Sequence, residues 1–240
     1  MIDCVSVYNM RLSDRNTIES GISSLELIRR AANVIFSAVE WKGRIAIVTG
    51  SGNNAADGYA LSLLLKEQNH DVTIVTVSDR MHADCEYYAS LSATVGTTRV
   101  SIHQIDLCDF DMIVDCLLGT GFGGDLKPKY RDAIQAINQS NAYVVSVDIN
   151  SGMNGDTGEG ECVVKSDLTI AIEFIKNGQI MDCAGNCMKR LRRVSIGIEL
   201  AYPEKKILND IEMIELSEDQ KQAMRNFGYT IVESPMWFEG

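Results

Sequence analysis

Short continuous apolar runs alternate with stretches of helical spacing along most of the chain. The runs are Ile45–Val48, Asp71–Val77, Val100–Ile105, Asp111–Leu118 and Tyr143–Asp148, with two further candidates at Asp167–Ile172 and Arg192–Ile196. They are rich in Val and Ile and read as strands buried on both faces. Between them, Gly58–Gln68, residues 82–95 and Pro128–Asn138 carry apolar residues at helical spacing, such as Leu61, Leu64 and Leu65, or Tyr130, Ile134 and Ile137. Residues 1–42 read as helical throughout. Ser13 is the expected cap of a first segment that Gly21 stops. Ser23-Ser24-Leu25-Glu26 reads as a capping box ahead of Leu25, Ile28, Ala32, Ile35 and Val39.

Strands alternating with helices predict an α/β protein with a mostly parallel central sheet covered on both faces. Right-handed crossovers then bring every strand C-terminus, and the loops that follow, to one edge. Three strands end in small, polar corners. Ile45–Val48 leads into Gly50-Ser51-Gly52, then Asn53, Asn54 and Asp57. Asp111–Leu118 contains Asp115 and leads into Gly119-Thr120-Gly121-Phe122-Gly123-Gly124-Asp125. Tyr143–Asp148 leads into Asn150, Ser151 and Gly152. A strand, a glycine turn and a helix start form an anion-binding corner, because the first N–H groups of the helix have no intrahelical partner. Gly119-x-Gly121-x-x-Gly124 matches a dinucleotide fingerprint, a weak signal alone, since no helix follows at once. Asp115 lies inside an apolar run, where an unpaired carboxylate is costly, so it must bond to a loop, hold a cation or do chemistry.

The net charge of −11 argues against a nucleic-acid surface. The corners carry Asp57, Asp115, Asp125 and Asp148 against Lys127 alone, so a phosphate-bearing ligand needs N–H groups or a cation to offset them. The Asn54 amide, Asp115, Ser151 and carbonyl oxygens form a weakly charged set that suits K⁺ better than Mg²⁺. His70, His82 and His103 are scattered and read as surface or loop residues. The seven cysteines include no CxxC and read as inert thiols. No apolar run approaches the approximately 18 residues of a membrane span. No leader of basic-then-apolar layout is present, so the expected location is the cytoplasm. Residues 1–200 read as one domain and 201–240 as an extension of unassigned role. In that extension Ser217 is the expected cap of a short helix ended by Gly228, and Tyr229–Val232 a strand.

Six stretches in order carry a resemblance: Met10-Arg11…Asp14…Thr17-Ile18…Gly21-Ile22-Ser23-Ser24-Leu25; Gly52-Asn53-Asn54-Ala55-Ala56-Asp57-Gly58; Val114-Asp115-Cys116-Leu117-Leu118-Gly119-Thr120-Gly121; Val147-Asp148-Ile149-Asn150-Ser151-Gly152; Phe174…Lys176-Asn177-Gly178; and Ile196-Gly197-Ile198. Over residues 8–200 the chain resembles the NAD(P)H-hydrate epimerases of the YjeF N-terminal domain type. The resemblance implies a Rossmann-like three-layer α/β/α sandwich, a homodimer, K⁺ binding and epimerisation of NADH or NADPH hydrated at nicotinamide C6. It implies a separate NAD(P)H-hydrate dehydratase as functional partner. It assigns Asn53, Asn54, Ala55, Ala56, Asp57, Gly119–Asp125 and Asp148 to the substrate, and Asn54, Asp115 and Ser151 to K⁺.

The hydrated carbon is a carbinolamine. Its configuration is lost by expelling hydroxide or opening the ring, and either route needs a proton delivered and removed. Asp148 is the first candidate for that work and Asp57 the second, with Lys176 assisting with phosphate or charge. The sequence departs from the family pattern in three places. Ala55-Ala56 replace two glycines, which would cost about 1 kcal/mol each if the loop needs φ > 0. Asn150 replaces a proline, which would loosen the turn bearing Ser151. Ser23 also replaces a proline. A non-catalytic ligand-binding or interaction module on the same fold is the alternative. An ordinary NAD-dependent dehydrogenase lacks support, for want of a catalytic His, a Tyr-x-x-x-Lys pair or an Arg cluster.

Overall fold

The computed structural model describes residues 2–204, 206–209, 216–226, 228–232 and 238–239. Its main sheet runs in the order β12-β9-β7-β6-β5-β2-β3-β4. The strands are β2 (Arg44–Thr49), β3 (Asp71–Thr76), β4 (Thr98–Ser101), β5 (Met112–Cys116), β6 (Tyr143–Val147), β7 (Leu168–Ile172), β9 (Leu191–Val194) and the two-residue β12 (Phe238–Glu239). Every pairing in it is parallel. The chain builds outwards from β2 through β3 to β4, then returns to β5 and builds the other way. The order therefore reverses between β2 and β5, and ligands of open α/β sheets bind in the crevice at such a point.

Alternation along β2 shows why both faces are covered. Ile45 and Ile47 join the core under α2 (Ser24–Ala38), α3 (Asn53–Glu67) and α4 (Ala83–Thr94). Ala46 and Val48 join the core under α5 (Pro128–Gln139), where Tyr130, Ala133, Ile134 and Ile137 are buried. The result is the three-layer α/β/α sandwich that the strand–helix alternation predicts.

The ends of the chain differ from their sequence reading. Residues 2–5 form a strand, β1 (Ile2–Val5), not a helix. It pairs parallel with β8 (Ile175–Lys176) and antiparallel with β10 (Lys206–Asn209), which pairs with β11 (Tyr229–Val232) in a second, four-stranded sheet. Too short to show a period, β1 is defined by partners about 170 and 200 residues away. Helix α1 (Val7–Glu19) is capped by Ser6, whose hydroxyl accepts the Asn9 N–H at 3.2 Å. Ser13 sits inside α1, donating to the Asn9 carbonyl at 2.8 Å. Ser23 does cap α2, but Glu26 does not reach back: it bonds Arg29 and Arg30, which hold its carboxyl down at about 2. The stretch 100–105 is strand only to Ser101 and then a 3-10 turn, Ile102–Gln104. In the C-terminal region Ser217 and Gln220 cap α6 (Glu218–Asn226) reciprocally. No helix among the described residues is long and apolar enough to cross a membrane.

Candidate active site

The corner after β2 is tight. A Cβ on Gly50 would lie 2.1 Å from the Leu117 carbonyl oxygen, so only glycine fits. Helix α3 begins at Asn53, five residues earlier than its apolar spacing suggests, with Gly52 as an extended N-cap and no side-chain cap. A Cβ on Gly58 would meet Ile47 Cγ2 at 2.9 Å and Cys116 at 3.0 Å, so α3 lies close against the sheet and Asp57 is buried beneath it. Ala55 and Ala56 are therefore helical, buried in the core, and not among the residues with positive φ. The strain foreseen for them is absent; alanine is the best helix former at such positions.

The second corner is built on Asp115, fully buried at the end of β5. It accepts from the Ser151 hydroxyl at 2.5 Å, the Ser151 N–H at 2.9 Å, the Ser146 hydroxyl at 2.9 Å and the Leu117 N–H at 3.3 Å. Burial pushes its carboxyl up, and these four bonds pull it back. Ser151 Oγ also accepts the Leu118 N–H at 2.9 Å, and Asn54 Nδ2 donates to the Leu118 carbonyl at 3.0 Å. Asn54 Oδ1 is buried without a hydrogen-bond partner. The loop that follows matches the glycine fingerprint in sequence only. Among its glycines Gly124 has positive φ, and α5 starts at Pro128, well after the turn. The strand–turn–helix corner is the one after β2 instead.

The third corner presents Asp148 in a left-handed conformation, φ 66°. Its carbonyl accepts from Gln179 Nε2 at 2.9 Å, and its carboxylate pairs with Lys176. Lys176 is fully buried and also donates to the Ile172 carbonyl at 3.1 Å. Its task is therefore to hold Asp148, not to reach a phosphate. Asn150 does not loosen its turn: Nδ2 donates to the Val164 carbonyl, Ser166 Oγ and the Cys187 carbonyl at 2.9–3.1 Å, and Oδ1 accepts from Thr169 at 2.6 Å. A side chain bonded at both its nitrogen and its oxygen ties this corner to two later segments, which a proline could not do.

The three corners enclose a cavity of about 580 Å³. Asn53, Asn54, Asp57, Gly119–Gly123, Asp125 and Asp148 line it. Ala55, Ala56 and Gly124 do not, and Asp115 and Ser151 stand behind the wall at Leu118. The sequence reading missed Arg11 and Asp14 as site residues and set His82 aside as a surface or loop residue; all three line the cavity, together with the apolar Leu27, Ile28, Ile172, Ile196 and Ile198. The spacing of Arg11 and Asp14, three residues apart on one helix face, was the available signal. Arg11 Nη2 donates to the Thr120 carbonyl at 2.7 Å, fastening the glycine loop to α1.

Four carboxylates, Asp14, Asp57, Asp125 and Asp148, thus face one space. Burial, then Asp148 and Asp14, push Asp57 well above the usual carboxylate range, eased by Lys176. Burial and Asp148 also raise Asp14. Asp148 is ion-paired with a buried ammonium, while Asp57 is pushed toward its protonated form. A carboxyl raised by burial and an ion-paired carboxylate in one cavity are an arrangement suited to acid–base chemistry.

Fold and site define a Rossmann-like α/β protein with an acid–base cavity at the switch point of its sheet. The family described as YjeF-related protein N-terminus matches residues 21–178, and the chain belongs to it. It is 33% identical over 185 residues to an NAD(P)H-hydrate epimerase of Limosilactobacillus fermentum, covering 74% of this chain and 89% of that one. It is 34% identical over 182 residues to the bifunctional NAD(P)H-hydrate repair enzyme Nnr of Coxiella burnetii, covering 73% of this chain and 37% of that longer protein. The crystal structure of the yeast protein YNL200c has the same fold, with a TM-score of 0.68, 15% identity, and coverage of 78% of this chain and 86% of that one.

Proposed function

We propose that this protein is an NAD(P)H-hydrate epimerase, an isomerase that interconverts the R and S forms of NADH or NADPH hydrated at C6. The observation that carries the reading is the split between Asp57 and Asp148 inside one cavity of an epimerase-family fold. Asp57 gives its proton to the C6 hydroxyl, the C–O bond breaks, and the ring nitrogen's lone pair forms the C=N⁺ bond as water leaves. The cation is planar at C6. Water returning to the opposite face forms the new C–O bond and loses a proton to Asp148; transfer back to Asp57 restores the enzyme. The apolar wall of Ile172, Ile196 and Ile198 limits the water that reaches the cation.

Asn53, Asn54, Gly119–Gly123 and Asp125 line the space for the dinucleotide. Arg11, Lys127 and the uncapped N-terminus of α3 supply the positive potential its phosphates need. The orphaned Asn54 Oδ1, next to Asp115, Ser151 and the Leu118 carbonyl, fits K⁺. Among the described residues no group of three or more His, Cys, Asp or Glu is placed to hold a metal. Bound there, K⁺ would offset the charge of Asp115 and order the glycine loop.

A homodimer is part of this reading, with the exposed Tyr8 on α1 as a candidate contact. A cytoplasmic location is supported by seven cysteines, all free, and a separate dehydratase would complete the repair. Mixing chemically hydrated NADH with an epimer-specific dehydratase tests the reading. This protein should make the second epimer disappear, faster with K⁺ than without. Persistence of that epimer would overturn the activity, and equal rates in both salts the ion.

A further inference from the structure

The segment after Gly197 has no assigned role, yet it grips the helix that brings Arg11 and Asp14 to the cavity. The Ala201 N–H donates to Ser13 Oγ at 2.9 Å, and Asn9 Nδ2 to the Tyr202 carbonyl at 2.9 Å. Glu204 Oε2 collects three donors at the start of α1: Ser6 N–H at 3.0 Å, Ser6 Oγ at 3.2 Å and Asn9 Nδ2 at 2.8 Å. Asn9 and Ser13 are fully buried, while the Glu204 and Tyr202 ends of these bonds are partly or fully exposed. Immediately before α1, β1 is held between β10 and β8, with Val5 opposite Lys176. The C-terminal segment is therefore joined by one small sheet both to the helix carrying Asp14 and to the lysine that fixes Asp148.

We propose that Glu204 is a positioning residue of the active site, fixing the N-terminus of α1 and through it the placement of Arg11 and Asp14 in the cavity. A carboxylate at a helix N-terminus is favourable with the helix dipole. Here it also sets the direction of a rigid rod. Asp14 lies eight residues past Ser6, roughly 12 Å along the axis at 1.5 Å per residue, so a small tilt at Ser6 becomes a displacement at Asp14. Asp156 also accepts the Val7 N–H at 2.8 Å, in an exposed bond.

The proposal rests on the epimerase reading, so its test has one arm that needs no activity. Glu204→Ala should lower kcat/KM about tenfold, and Glu204→Gln, which keeps an acceptor oxygen, should recover most of it. In an Arg11→Ala, Asp14→Asn background the further Glu204→Ala change should cost less than about twofold, because the groups it positions are gone. Amide hydrogen exchange across Val7–Glu19 should rise in Glu204→Ala while β2 and β5 stay protected. An unchanged kcat/KM, the same loss in both backgrounds, or unchanged exchange in α1 would each overturn the proposal. Should Glu204→Ala fail to fold, Asn9→Ala, which deletes one of the three donors, carries the same measurements. A wild-type protein without epimerase activity would sink the functional reading, while the exchange arm would still decide the positioning.

Discussion

Asp57 and Asp115 are both buried carboxylates, on neighbouring corners of one sheet edge, and they are built for opposite ends. Asp115 is surrounded by four donors from Ser146, Ser151 and the Leu117 amide. It welds β5 to the corner after β6. Asp57 meets burial and two other carboxylates, with Lys176 as its relief, and so is pushed toward its protonated form. Burial alone does not decide what a carboxyl group does; the donors placed around its charged form do.

The largest expected effect falls on Asp57. Asp57→Asn keeps the shape and removes the proton, and should lower kcat by roughly 10³-fold in the coupled epimer assay. The same substitution should stabilise the protein in alkali. A carboxyl with a raised folded pKa contributes stability that is fully present below the unfolded value, near 3.8, and lost as pH rises through the folded one. The variant should gain about 2–4 °C in Tm at pH 8 and little at pH 4. A wild-type rate in this variant would end the contrast. Asp115→Ala should act on stability, leaving buried donors unpaired at a cost of about 3 kcal/mol by denaturant unfolding. A near-neutral result would show that Asp115 is not an anchor.

A smaller effect is expected in the pH profile. The rate should fall as pH rises through the elevated Asp57 value, because the acid form is lost; Asp14→Asn, removing one of the charges that hold Asp57 protonated, should move that fall to lower pH. A shift the other way would contradict the coupling. Smaller again, Asn150→Pro should destabilise by about 2 kcal/mol, since four bonds at the third corner are lost. The smallest effect distinguishes the helical Ala55-Ala56 pair from a strained loop. Replacing both with glycine should cost about 0.5–1 kcal/mol each and bring no gain in kcat/KM. A gain in stability would restore the strained-loop reading.

The pattern of apolar runs and helical stretches carried the sheet, the three layers and the meeting of three corners, because strand burial and helix periodicity are written locally. It also carried Asn53, Asn54, Asp57 and Asp148 into the wall of one cavity. Asp115 inside its apolar run was legible as a group in need of partners, and Ser146 and Ser151 supply them. Other features were not legible. Strand β1 exists through partners at residues 175 and 207. Lys176 is a counter-ion for Asp148 because β8 buries it there. Whether Ala55-Ala56 are strained depended on where α3 begins, and close packing of Gly58 on Ile47 and Cys116 accompanies its early start. Sequence by itself determined which residues could do proton chemistry and on which edge they would gather. Tertiary structure decided which of them is pushed toward the protonated form, since a pKa depends on burial and on charges brought close from distant parts of the chain.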